Sequence, residues 1–523
     1  MNGYRTSSGS QYAIVSGCRH ATRAAEEALA EGGNVFDAAL AGAAVLCVTL
    51  PHAVSIGGDL FALLKRADDP QIVAVNATGA APRRADIALY RGQGLESIPV
   101  RGALSIQPPG LVAGWEMIAR RWGRLPTARL WEPAIGLARD GFAIGARLAR
   151  LSRELEAVYA PYRGWRSTYL PDGSPVAEGG LLRQERLAAA LSRIAREGAQ
   201  AFSTGPIADD IVRSVAAAGG VIEHGDLAGI APQITPALTT QFGRHAIATQ
   251  PPVSQGAVLL RALRLFHAAM HEDRRGLESL WPAAATALQT AFAERVRILG
   301  DRPDAFRLAE AMIAGEGAPA AATADLAQVG TETTTISVVD AKGNTAALIL
   351  SIFADFGSGI VTDESGILLN NRLSGFFLRE DHPNGLQPGK RTMHTLHSVI
   401  ATENDQIVLA GGSPGGNAQP QVNLQVLSRV LLRQQKLEEA VAAPRWMLTA
   451  SGGAYVSPDE AMRNIWCDPD LPPLAVSSFE QAGFPVTKMP RADIGSAKWV
   501  QREATGELVA ACDRRRDAAT AAG

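Results

Sequence analysis

Hydrophobic positions follow two rhythms along this chain. From residue 21 they recur at helical spacing: Ala21 to Glu31 closes on Gly32-Gly33, and Asn34 stands where a side chain can cap a second helix running through Thr49. The apolar run from Ala38 to Leu50 falls short of the roughly 20 residues a membrane span needs and is ended by Pro51, so it reads as a buried helix. Phe61 to Leu64 and Ile72 to Val75 have strand character. Residues 180 to 315 are read as mostly helical, with helices at Glu185 to Arg196, Ile207 to Ala218 and Ala283 to Leu299.

The rhythm changes near residue 314. Ala314 to Gly330 (AGEGAPAAATADLAQVG) is small, weakly charged and without apolar period, which suits a surface linker or a poor surface helix. Directly after it, Thr333 to Asp340 (TTTISVVD) is rich in β-branched residues, Ala341 to Asn344 forms a turn, and Thr345 to Phe353 (TAALILSIF) is a second apolar strand. A loose segment therefore leads into a buried hairpin that opens on three threonines. Further strands are expected at Gly366 to Leu369, Val399 to Thr402 and Gln406 to Leu409, with a helix at Gln421 to Leu432 and no internal repeat.

Composition narrows the function classes. The 523 residues carry 50 Lys and Arg against 52 Asp and Glu, a formal net charge of −2, so no bulk charge recruits nucleic acid. With 46% hydrophobic and 20% charged residues the chain is neither disordered nor a membrane protein by composition. The N-terminal segment shows no basic region followed by an apolar run, from which a cytoplasmic protein is expected. Cys18, Cys47, Cys467 and Cys512 are too scattered for a disulfide framework or a zinc site and are expected to be reduced and structural.

An alcohol side chain is a weak nucleophile unless a base stands beside it, and a residue made N-terminal supplies that base as its own α-amine. This requires self-cleavage at a loop running into a core strand, and Thr333 after Glu332 meets that description, although three threonines are also what a plain strand would select. A second candidate is Gly411-Gly412-Ser413-Pro414-Gly415-Gly416-Asn417, after a strand and before a helix. Bare backbone N–H groups there can meet a developing oxyanion, and no Gly-Lys-Ser/Thr follows to make it a nucleotide loop. Ile56-Gly57-Gly58-Asp59 is a weaker version of the same signal. His394 and His397 would share a face if helical, but no third metal ligand has a recognisable spacing, so neither a metal nor a cofactor is expected. Arg514-Arg515-Arg516, between Asp513 and Asp517, reads as a salt-bridged or solvated face.

Taken together, GGNVFDAALAGAA at 32–44, PHAVSIGGDLF at 51–61, PGLVAGW at 109–115, EPAIGLARDGFAI at 132–144, TTTISVVDAKGN at 333–344, FGSGIVTDESGILLNN at 356–371 and GGSPGG at 411–416 resemble the gamma-glutamyltransferase family of N-terminal nucleophile hydrolases, over nearly the whole chain. The resemblance implies an α+β fold, a four-layer αββα sandwich, and a precursor that cuts itself. Cleavage at Glu332–Thr333 would give a large subunit, 1–332, and a small subunit, 333–523, held together as a heterodimer that could pair again into a dimer of heterodimers. It implies Thr333 as the nucleophile, Ser351 as the hydroxyl supporting it, and Gly415 and Gly416 as oxyanion-hole donors.

The departures from the family pattern cluster where a glutamyl group would be held. Thr78 stands in place of the arginine that clamps the substrate carboxylate, Phe353 replaces an asparagine beside the nucleophile, and Gly375 replaces the aspartate that pairs with the ammonium. Arg372 replaces a polar acceptor, and His394-Thr395 replace two serines. A substrate ammonium would lie unpaired near a cation, which is costly in a desolvated pocket. The expectation is an amidohydrolase for a small acidic amide such as oxamate, with Arg372, His394, Thr395 and Phe353 lining the site. Two rivals remain at this level: a gamma-glutamyl hydrolase or transpeptidase whose clamp is rebuilt from Arg83 or Arg84, and a non-catalytic relative. Arg372 could also simply pair with Asp363 or Glu364. No nucleic-acid or membrane partner is expected.

Overall fold

The computed structural model describes residues 4–271, 276–298, 300–316, 332–449, 462–491 and 495–523. Among them, two antiparallel sheets of seven strands lie face to face. The first runs in the order Ala519–Ala522, Tyr12–Ser16, Glu332–Asp340, Thr345–Phe353, Asp59–Lys65, Ile72–Ala77 and Gln233–Pro236. The second runs Tyr4–Gly9, Leu508–Asp513, Lys498–Arg502, Gln406–Gly412, Val399–Glu403, His245–Thr249 and Leu238–Phe242.

The period of two along the strands builds the layers. On the central hairpin, Ile336, Val338, Ala346, Leu348, Leu350 and Ile352 turn outward to the helices Arg19–Ala30 and Val35–Thr49. Val339 turns inward to meet Ile400, Ala410 and Val500 of the facing sheet, and Ile349 meets Leu396. Beyond the second sheet lie Gly256–His271, Leu277–Glu294 and Ala418–Leu427. Helix, sheet, sheet, helix is the four-layer αββα arrangement that the family resemblance implies. The described residues include no helix long and apolar enough to cross a membrane.

The Val35–Thr49 helix is buried along its whole length and presses on the strand that begins beside Thr333. Asn34 caps it reciprocally with Asp37, as its position in the sequence predicts. At the crossing with that strand the helix carries Gly42, where an added Cβ would collide with the Ile336 side chain and crowd the Ala21 carbonyl. Gly42→Ala should therefore destabilise the fold by about 1–3 kcal/mol despite alanine's better helix propensity. A thermal melt checks this, and a variant at least as stable as wild type would overturn it.

Several expectations need correction. The block from 180 to 315 also holds the strands Gln233–Pro236, Leu238–Phe242 and His245–Thr249. The helix expected from Ala283 to Leu299 is Leu277–Glu294, which carries Pro282 inside its N-terminal part and is followed by a 3₁₀ turn at Arg295–Ile298. Gly366 to Leu369 forms isolated bridges and no strand. The helix expected from Gln421 to Leu432 is Ala418–Leu427, continued as a wider π-turn over Ser428–Leu432. Of the linker, Ala314 ends the helix Ala305–Ala314, and residues 317–330 lie outside the described residues. All four cysteines are free thiols.

Candidate active site

Thr333 sits in an irregularity of the central hairpin. Glu332 pairs with Phe353 and Thr334 with Leu350, so Ser351 and Ile352 together stand opposite the single residue Thr333. The Ser351 hydroxyl donates to the Glu332 carbonyl oxygen at 2.8 Å and accepts from the Phe353 N–H at 2.8 Å. In the uncleaved chain, the hydroxyl that the resemblance assigns to supporting the nucleophile is thus given to the carbonyl of the bond before Thr333. Negative charge developing on that oxygen would meet a positioned donor.

The Glu332 side chain is clamped as well. Its buried carboxylate pairs with Arg147 and, at 3.2 Å, with Arg516. Burial pushes this carboxyl up, but Arg516, Arg147 and nearby His52 more than offset it and hold it below the usual carboxylate range. In the run Arg514-Arg515-Arg516, read as a salt-bridged or solvated face, Arg514 is exposed and Arg515 pairs with Asp468 and with the flanking Asp513. What the sequence does not reveal is that Arg516 pairs with the residue preceding the candidate nucleophile.

A second cluster adjoins the hairpin. Phe353 has φ +84°, a left-handed conformation that an asparagine tolerates more easily than a phenylalanine, and its ring lies under the Arg372 guanidinium at 4.5 Å. Arg372 is fully buried, and its partner is neither Asp363 nor Glu364: its Nε donates to Asp59 Oδ2 at 3.1 Å. Its Nη1 and Nη2 have no hydrogen-bond partner among the described residues. Burial pushes Asp59 above the usual carboxylate range against the pull of Arg372 and of Thr78. Burial also lowers Arg372, opposed by Asp59, yet a guanidinium starts so high that it stays charged.

His394 completes this cluster, with Nε2 2.9 Å from Thr78 Oγ1 and 3.9 Å from Asp59, and with its ring stacked on Phe61 at 4.6 Å. Burial first, then Arg372 and Arg391, drives it well below the ordinary histidine value, so it is a neutral imidazole. It can donate or accept one hydrogen bond but adds no positive charge. The segment is extended rather than helical, and His397 bonds the Thr395 carbonyl at Nδ1 and Asn423 at Nε2. At Gly375, the carbonyl accepts from Asn384, and a Cβ would stand 3.1 Å from Thr392 Oγ1.

The glycine loop joins the Gln406–Gly412 strand to the Ala418–Leu427 helix. Gly415 and Gly416 adopt φ +123° and +56°, which side chains resist, so glycine is needed here. Gln255 ties the loop to the second cluster: its Nε2 donates to the carbonyls of Gly416 at 3.1 Å and Thr395 at 3.4 Å, and its N–H donates to the His394 carbonyl at 2.8 Å. Thr395 thus contributes its backbone to this link. Asp59, Arg147, Gln255 and Arg295 were not identified from sequence. Only Asp59 left a signal there, as the end of Ile56-Gly57-Gly58-Asp59.

Set against known proteins, residues 21–523 match the model of the Gamma-glutamyltranspeptidase family. The chain is 30% identical over 521 residues to the oxamate amidohydrolase proenzyme of Klebsiella pneumoniae subsp. pneumoniae, covering 96% of each chain. It is 30% identical over 449 residues to a glutathione hydrolase-like proenzyme of Bacillus subtilis, covering 84% of this chain and 85% of that one. Among solved structures, a cephalosporin acylase from Bacillus halodurans superposes with a TM-score of 0.87 at 26% identity, covering 99% of this chain and 97% of the other. A threonine at the head of a central strand, a hydroxyl on the preceding carbonyl, a glycine loop with left-handed backbone and these matches converge: the chain belongs to the gamma-glutamyltranspeptidase family of N-terminal nucleophile amide hydrolases.

Proposed function

We propose that the chain cleaves itself between Glu332 and Thr333 and then hydrolyses a small amide that carries a carboxylate, with oxamate, converted to oxalate and ammonia, as the favoured substrate. In the first step Thr333 Oγ attacks the Glu332 carbonyl carbon, and the Ser351 hydroxyl meets the charge on its oxygen. The peptide becomes an ester on Thr333, water hydrolyses it, and the Thr333 amine is freed to act as base. In the second reaction that amine takes the Thr333 hydroxyl proton, the oxygen attacks the substrate amide, and the N–H groups of Gly415 and Gly416 face the oxyanion. Ammonia leaves with the proton, and water releases the acid.

The observation that carries the substrate class is Arg372. Two N–H-bearing nitrogens of a buried guanidinium lack acceptors, while the third is fixed by Asp59. Such a fork matches two carboxylate oxygens. Phe353 beside it restricts the length of what can bind, and neutral His394 adds no charge, so the guanidinium is left as the group that holds the anion. The Klebsiella relative is named for oxamate hydrolysis, which agrees with this chemistry.

A second reading has one observation in its favour. Thr78 also lines a cavity of about 470 Å³ together with Arg83 and Arg391, so a longer acyl group could find a cation there. Arg84, by contrast, is spent at the surface on Glu223. Hydrolysis assays on oxamate, other short acidic amides and a gamma-glutamyl anilide separate the two. Oxamate or another short acidic amide is expected to turn over with the highest kcat/KM, and discrimination against the anilide can reach about 10⁴-fold where buried polar partners are missing. Faster turnover of the anilide than of every short acidic amide would overturn the proposal.

A further inference from the structure

Behind the glycine loop lies a buried cation with no anion beside it among the described residues. Arg295 is 1% exposed, and its Nη1 donates to Gln255 Oε1 at 2.6 Å and to Asn417 Oδ1 at 2.8 Å. Both acceptors are neutral, and no carboxylate among the described residues lies within ion-pairing distance of this guanidinium. The ring of Phe292, 5.2 Å from its carbon, is the remaining contact of note. Burying an ion costs several kcal/mol even after relaxation, and buried charges are ordinarily paired for that reason. The other fully buried arginines obey the rule: Arg372 pairs with Asp59, and Arg445 with Asp513. Burial lowers Arg295 to about 10, so it still carries its charge at neutral pH.

The two neutral partners are the residues that hold the loop. Asn417 follows Gly416 directly, and Gln255 donates to the Gly416 carbonyl and to Thr395. We infer that Arg295 is a positioning residue for amide hydrolysis: through Asn417 and Gln255 it fixes the Gly415–Gly416 backbone with its N–H groups presented to the reacting carbonyl, and its unneutralised charge is compensated when the oxyanion forms. This rests on the amidohydrolase reading above. A charge that is costly in the resting protein and compensated only in the tetrahedral intermediate favours the transition state over bound substrate, so its effect falls on kcat rather than on KM. Self-cleavage draws its donor from Ser351 instead, so it should not depend on Arg295.

The test compares Arg295→Met, of similar length and neutral, with Arg295→Lys, which keeps the charge. Each is assayed for self-cleavage on a denaturing gel, for melting temperature, for kcat and KM on the best amide of the panel, and for the p-nitrophenolate burst on acylation of Thr333 by p-nitrophenyl acetate. Arg295→Met is expected to cleave itself, to lose about 10- to 100-fold in kcat and in burst rate, and to keep KM within about threefold, a loss somewhat below that of deleting a direct oxyanion donor. Arg295→Lys should recover part of the loss at equal melting temperature. A cleaved Arg295→Met with wild-type kcat and burst rate, a loss confined to KM, or a lysine variant no better than methionine at matched stability would each overturn the inference. A wild type that gives the ester burst but hydrolyses no amide of the panel would defeat the amidohydrolase reading, and the burst of the two variants would still decide the role of Arg295.

Discussion

Thr333→Ala is expected to run as one chain of 523 residues with no amide hydrolysis, while the wild type resolves into chains of 332 and 191 residues. The hydroxyl that would attack is removed, and with it the ester through which the peptide is opened. The rest of the cutting geometry stays: Ser351 still donates to the Glu332 carbonyl, and Arg147 and Arg516 still hold the Glu332 carboxylate. Removing a nucleophile that acts as one unit with its base and donors costs on the order of 10⁶-fold in rate, so the cut band should be absent rather than reduced. Intact mass spectrometry gives the result directly. A wild type that is fully active as an uncut chain would end the proposal, and so would a cut between residues other than Glu332 and Thr333.

The second large effect is expected at Arg372. Arg372→Ala should leave self-cleavage in place and lower kcat/KM for the acidic amide by about 10²-fold or more, the roughly 3 kcal/mol of a buried charge-assisted contact. The structure adds a complication, because the same substitution strips Asp59 of its cation. Breaking a buried pair on one side costs about 3–5 kcal/mol of stability, which could mask the kinetic effect. The neutral pair Asp59→Asn with Arg372→Met removes that penalty. This double variant should fold and cleave itself yet retain the full loss in kcat/KM. Arg372→Lys should recover only part, since an ammonium cannot serve Asp59 and a carboxylate in one plane. If the double variant is processed and hydrolyses the acidic amide as well as wild type, Arg372 is a structural ion and the carboxylate reading falls.

What could be read in advance was local or repetitive. The Asn34–Asp37 cap, the alternation along Thr345–Phe353 and the glycine loop all depend on residues within a few positions of one another, where periodicity and backbone preference act directly. The missed strands Leu238–Phe242 and His245–Thr249 are five residues each and lie beside long helices; they pair with each other, and only the second has a distant partner, Val399–Thr402. The helix expected from Ala283 begins at Leu277 instead and carries Pro282 in its second turn, where tertiary packing offsets the lost backbone hydrogen bond. Asp59 and Arg372 are 313 residues apart, and Arg147 and Glu332 are 185 apart. No spacing rule links such pairs, since only the layered packing brings them together. Arg295 was unreadable for the opposite reason: among the described residues its partners are the neutral amides of Gln255 and Asn417 rather than an acid.

The clamp on Glu332 also sets an order of events. Arg147 is made before Glu332, but Arg516 follows Glu332 by 184 residues and stands just before the strand Ala519–Ala522, which pairs with Tyr12–Ser16 next to the strand that begins at Glu332. Until those residues emerge from the ribosome, both that strand and half of the grip on Glu332 are missing. The grip on Glu332 is therefore complete only once residues 516–522 have been made, and a chain that stops before them lacks half of it.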